Sequence, residues 1–335
     1  MKYIYDDLAD KKILITGGAG FIGSNLAFYF QKHHPMAQVY VFDTFRTDTY
    51  FPSGNPTTLG HFKNLIGFKG NVIVGDITNP QDLQKLKTYD FDIIFHQAAI
   101  SDTTVLDQKL VMDTNYQAFL HLLDVANSSQ AMMIYASSAG TYGNSSAPNI
   151  IGEGEVPENV YGYSKLCMDE YVRKILSNDP TCPIIGLRYF NVYGAGEFYK
   201  GKTASMILQL SLQALKNKKV RLFKNGEQKR DFVYIKDVIQ ANVKAIESAK
   251  SGIYNVGSGE GRSFNEIVGY LQNALGDFEV EYFENPYSFF QTHTQADINA
   301  TKEHLSYVPR FNLQKGIESY LPDIQAIYAA TQGRD

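Results

Sequence analysis
The chain has 335 residues, 44% of them hydrophobic and 20% charged, the balance of a globular protein with one large domain or two. Its net charge of −4 gives no general pull toward nucleic acid or an anionic membrane, and no apolar run reaches membrane-spanning length. Two cysteines, Cys167 and Cys182, offer neither a metal-binding spacing nor a disulfide framework. Residues 1–10 are polar and acidic and do not read as a signal peptide. A cytoplasmic enzyme without a metal is expected.

In chain order, Lys12-Ile-Leu-Ile-Thr16 is a short run rich in branched residues, as in a buried parallel strand. Glycines follow, and then Ser24–Lys32 reads as a helix. Val39–Phe42 is a second strand, ending on Asp43. Asn71–Val74, Phe91–Phe95, Met132–Tyr135 and Ile184–Leu187 are further strands, with helical stretches between most of them. This alternation predicts βαβ units around a parallel sheet covered on both faces. After about Arg188 the rhythm gives way to longer loops. The expected fold is α/β: a Rossmann-like doubly wound parallel sheet over residues 1–187, joined by a return of about 231–256. Residues 188–335 are expected to form mainly a smaller C-terminal substrate-binding lobe.

Thr16-Gly17-Gly-Ala-Gly20-Phe-Ile-Gly23 joins the first strand to the first helix, where a dinucleotide pyrophosphate binds in such sheets. Gly17 suits a tight turn, Gly20 a close approach to phosphate, and Gly23 close packing of helix on strand. Asp43, about 20 residues on, stands where an acid takes ribose hydroxyls and disfavours a 2′-phosphate. Arg46, with His61 and Lys63 beyond it, argues the other way. NADP is expected, with NAD as the live alternative.

Asn159-Val-Tyr161-Gly-Tyr-Ser-Lys165 opens a stretch free of Pro and Gly after Gly162, with apolar Leu166, Met168, Tyr171 and Val172 at helical spacing. Tyr161 and Lys165 are then one turn apart on one face. A free phenol, with a pKa of about 10, is a poor base at neutral pH, and a nearby ammonium favours the phenolate. Upstream, Ser138 closes a strand and offers a hydroxyl to a substrate alkoxide or carbonyl.

The glycine loop, Ser138 and the Tyr161/Lys165 pair, in that order, resemble the extended short-chain dehydrogenase/reductase family. His96-Gln97-Ala-Ala99, Asn115 and Arg188-Tyr-Phe-Asn191-Val-Tyr-Gly194 match its other landmarks. Dehydratases of this family carry an Asp-Glu pair after the hydroxyl residue, whereas this chain has Ala139-Gly140. The segments 159–165, Glu197-Phe-Tyr-Lys200-Gly201, Lys229–Tyr234 and Thr294–Asp297 are similar to the epimerases that invert C6 of an ADP-heptose for the lipopolysaccharide core.

That resemblance implies Ser138, Tyr161, Lys165 and Lys200 as catalytic residues. Inverting a carbon through a ketone needs a proton donor on each side of the substrate, and Lys200 would be the second. The resemblance assigns Gly17, Gly20, Phe21, Ile22, Gly23, Asp43, Thr44, Arg46, Asp76, Ile77, Gln97, Ala98, Ala99, Asn115, Tyr161, Lys165 and Val192 to the cofactor. It assigns Ser101, Ser138, Asn191, Lys202, Gln209, Phe223, Arg230 and Phe290 to an ADP-heptose substrate, with Arg230 on the diphosphate. A homo-oligomer is also implied. Three departures stand out. Ala195-Gly196 replaces Pro-Arg, which predicts a less rigid Lys200 loop; Phe290 falls near a substrate-holding tyrosine; and His61 falls near a phosphate-side lysine. A C4 epimerase or reductase of another nucleotide sugar, which needs no Lys200, is the alternative enzyme. The intact Ser/Tyr/Lys set argues against a cofactor-sensing protein with a dead site.

Overall fold
The computed structural model describes residues 1–5, 7–284 and 292–332. The first half alternates strand and helix. β1 (Lys12–Thr16), α1 (Phe21–His33), β2 (Gln38–Asp43) and β3 (Asn71–Val74) are followed by α2 (Pro80–Leu86) and β4 (Ile93–His96). Next come α3 (Gln108–Met112), α4 (Ala118–Ser129), β5 (Met132–Ser138), α5 (Val160–Asn178) and β6 (Ile184–Tyr189). The remainder is more mixed: β7 (Asn191–Tyr193), α6 (Met206–Asn217), β8 (Lys219–Phe223), β9 (Lys229–Tyr234) and α7 (Ile235–Ala245). It continues with β10 (Gly252–Val256), β11 (Gly261–Ser263), α8 (Phe264–Leu275), β12 (Glu279–Phe283), α9 (Asn299–Leu305) and α10 (Leu313–Gln332).

Seven strands form one sheet in the order β10-β6-β5-β4-β1-β2-β3, every pairing parallel. Because successive side chains of a strand face opposite ways, β1 feeds two cores. Ile13 and Ile15 pack with Leu26 and Phe30 of α1 and Val238 of α7, while Leu14 packs with Phe119 and Leu122 of α4. The run of branched residues read from the sequence is therefore a strand buried on both faces. The strand order reverses at β1, whose neighbours β2 and β4 lead away in opposite directions. Thr16, Phe42 and His96 end level there, which opens the crevice that such sheets use for ligands.

Gly252–Val256 forms the edge strand beyond β6. Lys229–Tyr234 does not enter this sheet; it pairs with β7 and β11 in a three-stranded sheet. β8 and β12 make a two-stranded pair. Asp231 ties the second lobe together, its buried carboxylate accepting from Ser258 N at 2.6 Å, Gly259 N at 2.9 Å and Ala296 N at 3.0 Å. The large sheet and the later elements share one apolar core, in which Phe21 and Ile15 belong with Ile207, Leu271 and Tyr320. No helix among the described residues is long and apolar enough to cross a membrane.

Candidate functional site
Three glycines shape the floor of the crevice. Gly17 has φ +65°, and a Cβ there would lie 2.7 Å from Ala98 N, so only glycine fits. A Cβ at Gly23 would sit 2.3 Å from the Gly17 carbonyl oxygen, which is why α1 starts so close to β1. Asp43 fixes the loop by accepting from Ala19 N at 2.9 Å and from Phe45 N at 2.8 Å. Burial nevertheless holds its carboxyl above the usual range, against the pull of those two N–H groups. The close packing at Gly17 and Gly23 brings the N-terminus of α1 tight against β1 at the crevice, which fits the pyrophosphate of a nicotinamide dinucleotide.

Above the loop lies a cleft of about 660 Å³, walled by the carboxyl ends of the sheet strands and by residues 189–206. Gly17, Gly20, Phe21, Ile22, Gly23, Asp43, Thr44, Asp76, Ile77, Gln97, Ala98, Ala99 and Val192 line it, as do Ser101, Ser138, Asn191, Tyr161, Lys165 and Lys200.

Local structure brings Ser138, Tyr161 and Lys165 together. Asn159 caps α5 by accepting from Gly162 N at 2.9 Å, which puts Tyr161 in the first turn. A Cβ at Gly162 would lie 2.4 Å from the Gly140 carbonyl, so that turn of helix rests directly on the chain after Ser138. Lys165, 1% exposed, donates to the Ala136 carbonyl at 2.8 Å. Burial pushes its ammonium down to about 8, with Asp169 opposing.

The phenol of Tyr161 is pushed up by burial and pulled back by a hydrogen bond with Ser138. The sequence suggested that the Lys165 ammonium would bias this group toward phenolate. In the protein alone burial prevails, and the ammonium is directed at the Ala136 carbonyl instead.

Lys200 enters from the loop between β7 and α6, its Nζ 5.7 Å from the centre of the Phe21 ring. Burial lowers its pKa and the nearby Glu197 carboxylate raises it. The loop is better fixed than Ala195-Gly196 suggested. Asn25 donates to the Ala195 carbonyl at 2.9 Å, and Gly196 supplies a φ of +97°.

Other residues singled out in the sequence stand outside the cleft wall. Asn115 is fully buried in a single π turn (Asp113–Gln117), where it accepts from Ile100 N at 2.8 Å and donates to Ser164 Oγ at 3.1 Å. It thus fixes Ile100, which lines the cleft. Arg46 donates to the Tyr199 carbonyl, and the His61 ring lies flat on the Tyr199 ring at 3.8 Å between centres. Gln209 donates to the Lys202 and Ala204 carbonyls at 3.1 and 2.7 Å. The Phe223 ring packs edge-on against Phe283 at 4.7 Å. Phe290 lies outside the described residues.

Arg230 is also off the wall, but the period of β9 puts it on the same face as Phe232, which lines the cleft. Its guanidinium forms no ion pair among the described residues, and burial lowers it to about 10. The sequence reading missed Phe51, Thr57, Thr58, Phe190, Met206, Phe232 and Phe264 as wall residues. Of these, Phe232 carried a signal in its alternation with Arg230, and Phe190 in the landmark that runs from Arg188 to Gly194.

Comparison with known proteins gives a consistent picture. The model of the "NAD dependent epimerase/dehydratase family" matches residues 13–257. The Helicobacter pylori ADP-L-glycero-D-manno-heptose-6-epimerase is 58% identical; the match covers 97% of this chain and all (100%) of that one, with a TM-score of 0.90. The UDP-glucuronic acid 4-epimerase of Bacillus cereus, solved with UDP-glucuronic acid and NAD, is 29% identical over 95% of this chain and 100% of that one, with a TM-score of 0.80. The Thermotoga maritima UDP-glucose 4-epimerase, solved with UDP-glucose, is 25% identical over 94% of this chain and 99% of that one, with a TM-score of 0.81.

Proposed function
The chain belongs to the NAD dependent epimerase/dehydratase family, and from that premise we propose that it inverts C6 of an ADP-heptose through a transient 6-keto sugar. The observation that carries this reading is that Lys200 lines the same cleft as Ser138, Tyr161 and Lys165. The 58% identity to the Helicobacter heptose 6-epimerase supports the sugar and the carbon. The absence of an acidic pair after Ser138 argues against loss of water, since Ala139-Gly140 can neither give nor take a proton.

A nicotinamide dinucleotide, when bound, supplies the hydride chemistry at C6. Gly17, Gly20, Gly23, Asp43, Thr44, Asp76, Gln97 and Lys165 would hold it. Tyr161 takes or returns the proton of the C6 oxygen on one side, with Ser138 hydrogen-bonding that oxygen and the phenol together. Lys165 provides positive charge one helical turn away. After the ketone turns over in the cleft, Lys200 exchanges the proton on the other side. Net redox change is zero. Arg230, on the Phe232 face of β9, binds the diphosphate.

We favour NADP over NAD. Both Asp43 oxygens already accept from backbone N–H groups, which weakens their claim on ribose hydroxyls. Arg46 and Lys63 supply positive charge beside that strand end. Residues up to 187 with β10 hold the cofactor in this reading, and the later segments hold the sugar nucleotide. A cytoplasmic location, a homo-oligomer and a role in lipopolysaccharide core synthesis belong to the same reading and rest on the family resemblance.

The test is the mass and ultraviolet spectrum of the nucleotide released from purified protein, followed by NMR of ADP-heptose incubated with it. NADP and inversion at C6 are expected. Release of NAD alone reverses the cofactor assignment, and an unchanged sugar overturns the function.

A further inference from the structure
Glu197 is fully buried three residues before Lys200. It accepts from Gly194 N at 3.1 Å and Ser205 Oγ at 2.8 Å through one oxygen, and from Ser205 N at 2.6 Å through the other. These bonds join the first and last residues of the loop that carries Lys200. A backbone bond from Lys200 N to the Glu197 carbonyl, 2.9 Å, closes the turn between them. Neutral donors could be satisfied by a neutral acceptor, so a buried carboxylate here calls for a further explanation.

Resting on the reading of Lys200 as the second proton donor, we infer that Glu197 is its positioning residue: the carboxylate closes the loop and supplies the counter-charge that keeps the ammonium protonated in the cleft. Among the described residues, Lys200 is the one cation whose charge acts on this carboxylate. Tyr193 of β7 and Tyr320 of α10 are the phenols nearest it, and burial above all, with the Glu197 charge adding to it, raises both, so both stay neutral. The Lys200 ammonium faces the Phe21 ring, and its backbone N–H to the Glu197 carbonyl keeps the two side chains on one turn of the loop. Burial acts against both charges of the pair, while each partner favours the ionised form of the other. Without Glu197, burial alone would act on the ammonium and the lysine would lose its proton at lower pH.

The experiment is competitive acetylation of Lys200 with acetic anhydride across pH 6–11, read by peptide mass spectrometry on the cofactor-loaded protein. Its inflection reports the lysine pKa, and its high-pH plateau reports access to the lysine. In Glu197→Gln the inflection is expected to fall by about one pH unit or more, making acetylation near neutral pH about tenfold faster. Ser205→Ala, which removes a tie but not the charge, should change the plateau and leave the inflection in place. Should Glu197→Gln not fold, Glu197→Asp, with the charge withdrawn by one methylene, should lower the inflection by a smaller amount. An unmoved inflection in the folded variant overturns the inference and leaves Glu197 as a loop tie. The separate failure of the functional reading is recognised by a Lys200→Met enzyme that still inverts the sugar, whatever the inflection does.

Discussion

The Lys165 ammonium donates to the Ala136 carbonyl at 2.8 Å, so the helix that bears Tyr161 is bolted to the strand that ends in Ser138. The three residues therefore act as one rigid unit, and removing any of them should not have the same consequence.

Lys165→Met is expected to abolish turnover and to weaken nucleotide retention, measured by nucleotide released per chain. It should also change the pH dependence of stability. Burial brings Lys165 down to about 8 from its ordinary 10.5. Between those values the unfolded chain binds more protons than the folded one, so stability rises with pH across that window. Below pH 8 the cost of burying the charge, roughly 3 kcal/mol, is fully present. Urea melts of the nucleotide-free protein from pH 7 to 10.5 should show this rise in wild type and a flatter profile in the variant.

Tyr161→Phe and Lys200→Met should each lower kcat by at least about 100-fold while circular dichroism and bound nucleotide remain as in wild type. Each variant keeps the proton donor of one side. With one variant loaded with oxidised and the other with reduced cofactor, mixing should give at most one inversion per pair of enzymes, because the hydride kept by the first matches the one spent by the second. Sugar NMR of the mixture against each protein alone checks this.

Much of this arrangement was legible in the sequence because it depends on local rules. Asn159, Tyr161 and Lys165 fall into place once a helix starts at Val160, and β1 and β3 have the bounds their branched runs suggested. What the sequence concealed depends on the chain meeting itself. Asn115, a family landmark in the sequence, holds the backbone of Ile100. Arg46 is drawn to the Tyr199 carbonyl, 153 residues away. Glu197 was only part of a recognised segment until Gly194 and Ser205 closed around it. The Asp231–Ile235 stretch has the composition of a central strand, yet Asn191–Tyr193 provided it with a different partner.

Gly23→Ala tests the cofactor cradle. Its Cβ would fall 2.3 Å from the backbone oxygen of Gly17, so α1 must move away from β1. A loss of about 1–3 kcal/mol in stability is expected, with no nucleotide retained on purification. Retention at the wild-type level would show that the loop has slack.

Arg188 lies fully buried between Asp169, 2.7 Å from its Nε, and Glu155, 2.6 Å from its Nη1. Arg188→Leu should cost about 3–5 kcal/mol, since the buried Asp169 loses its cationic partner and Glu155 keeps only Arg173. Hydrogen bonds from Arg173 and Arg188 hold Glu155 down at about 2 against the effect of its burial. Its contribution is therefore complete above its ordinary value of 4.5 and is lost as pH falls toward 2. Acid titration followed by tyrosine fluorescence should give a higher unfolding midpoint for the variant than for wild type.

The central claim is inversion at C6 by hydride removed and returned within one cleft. The most direct measurement is proton NMR of ADP-heptose incubated with the purified protein in deuterium oxide. Hydride held by the enzyme does not exchange with solvent, so the account predicts inversion at C6 with protium retained there. Inversion with deuterium at C6, or inversion at C4 of another nucleotide sugar with ADP-heptose left unchanged, would contradict it.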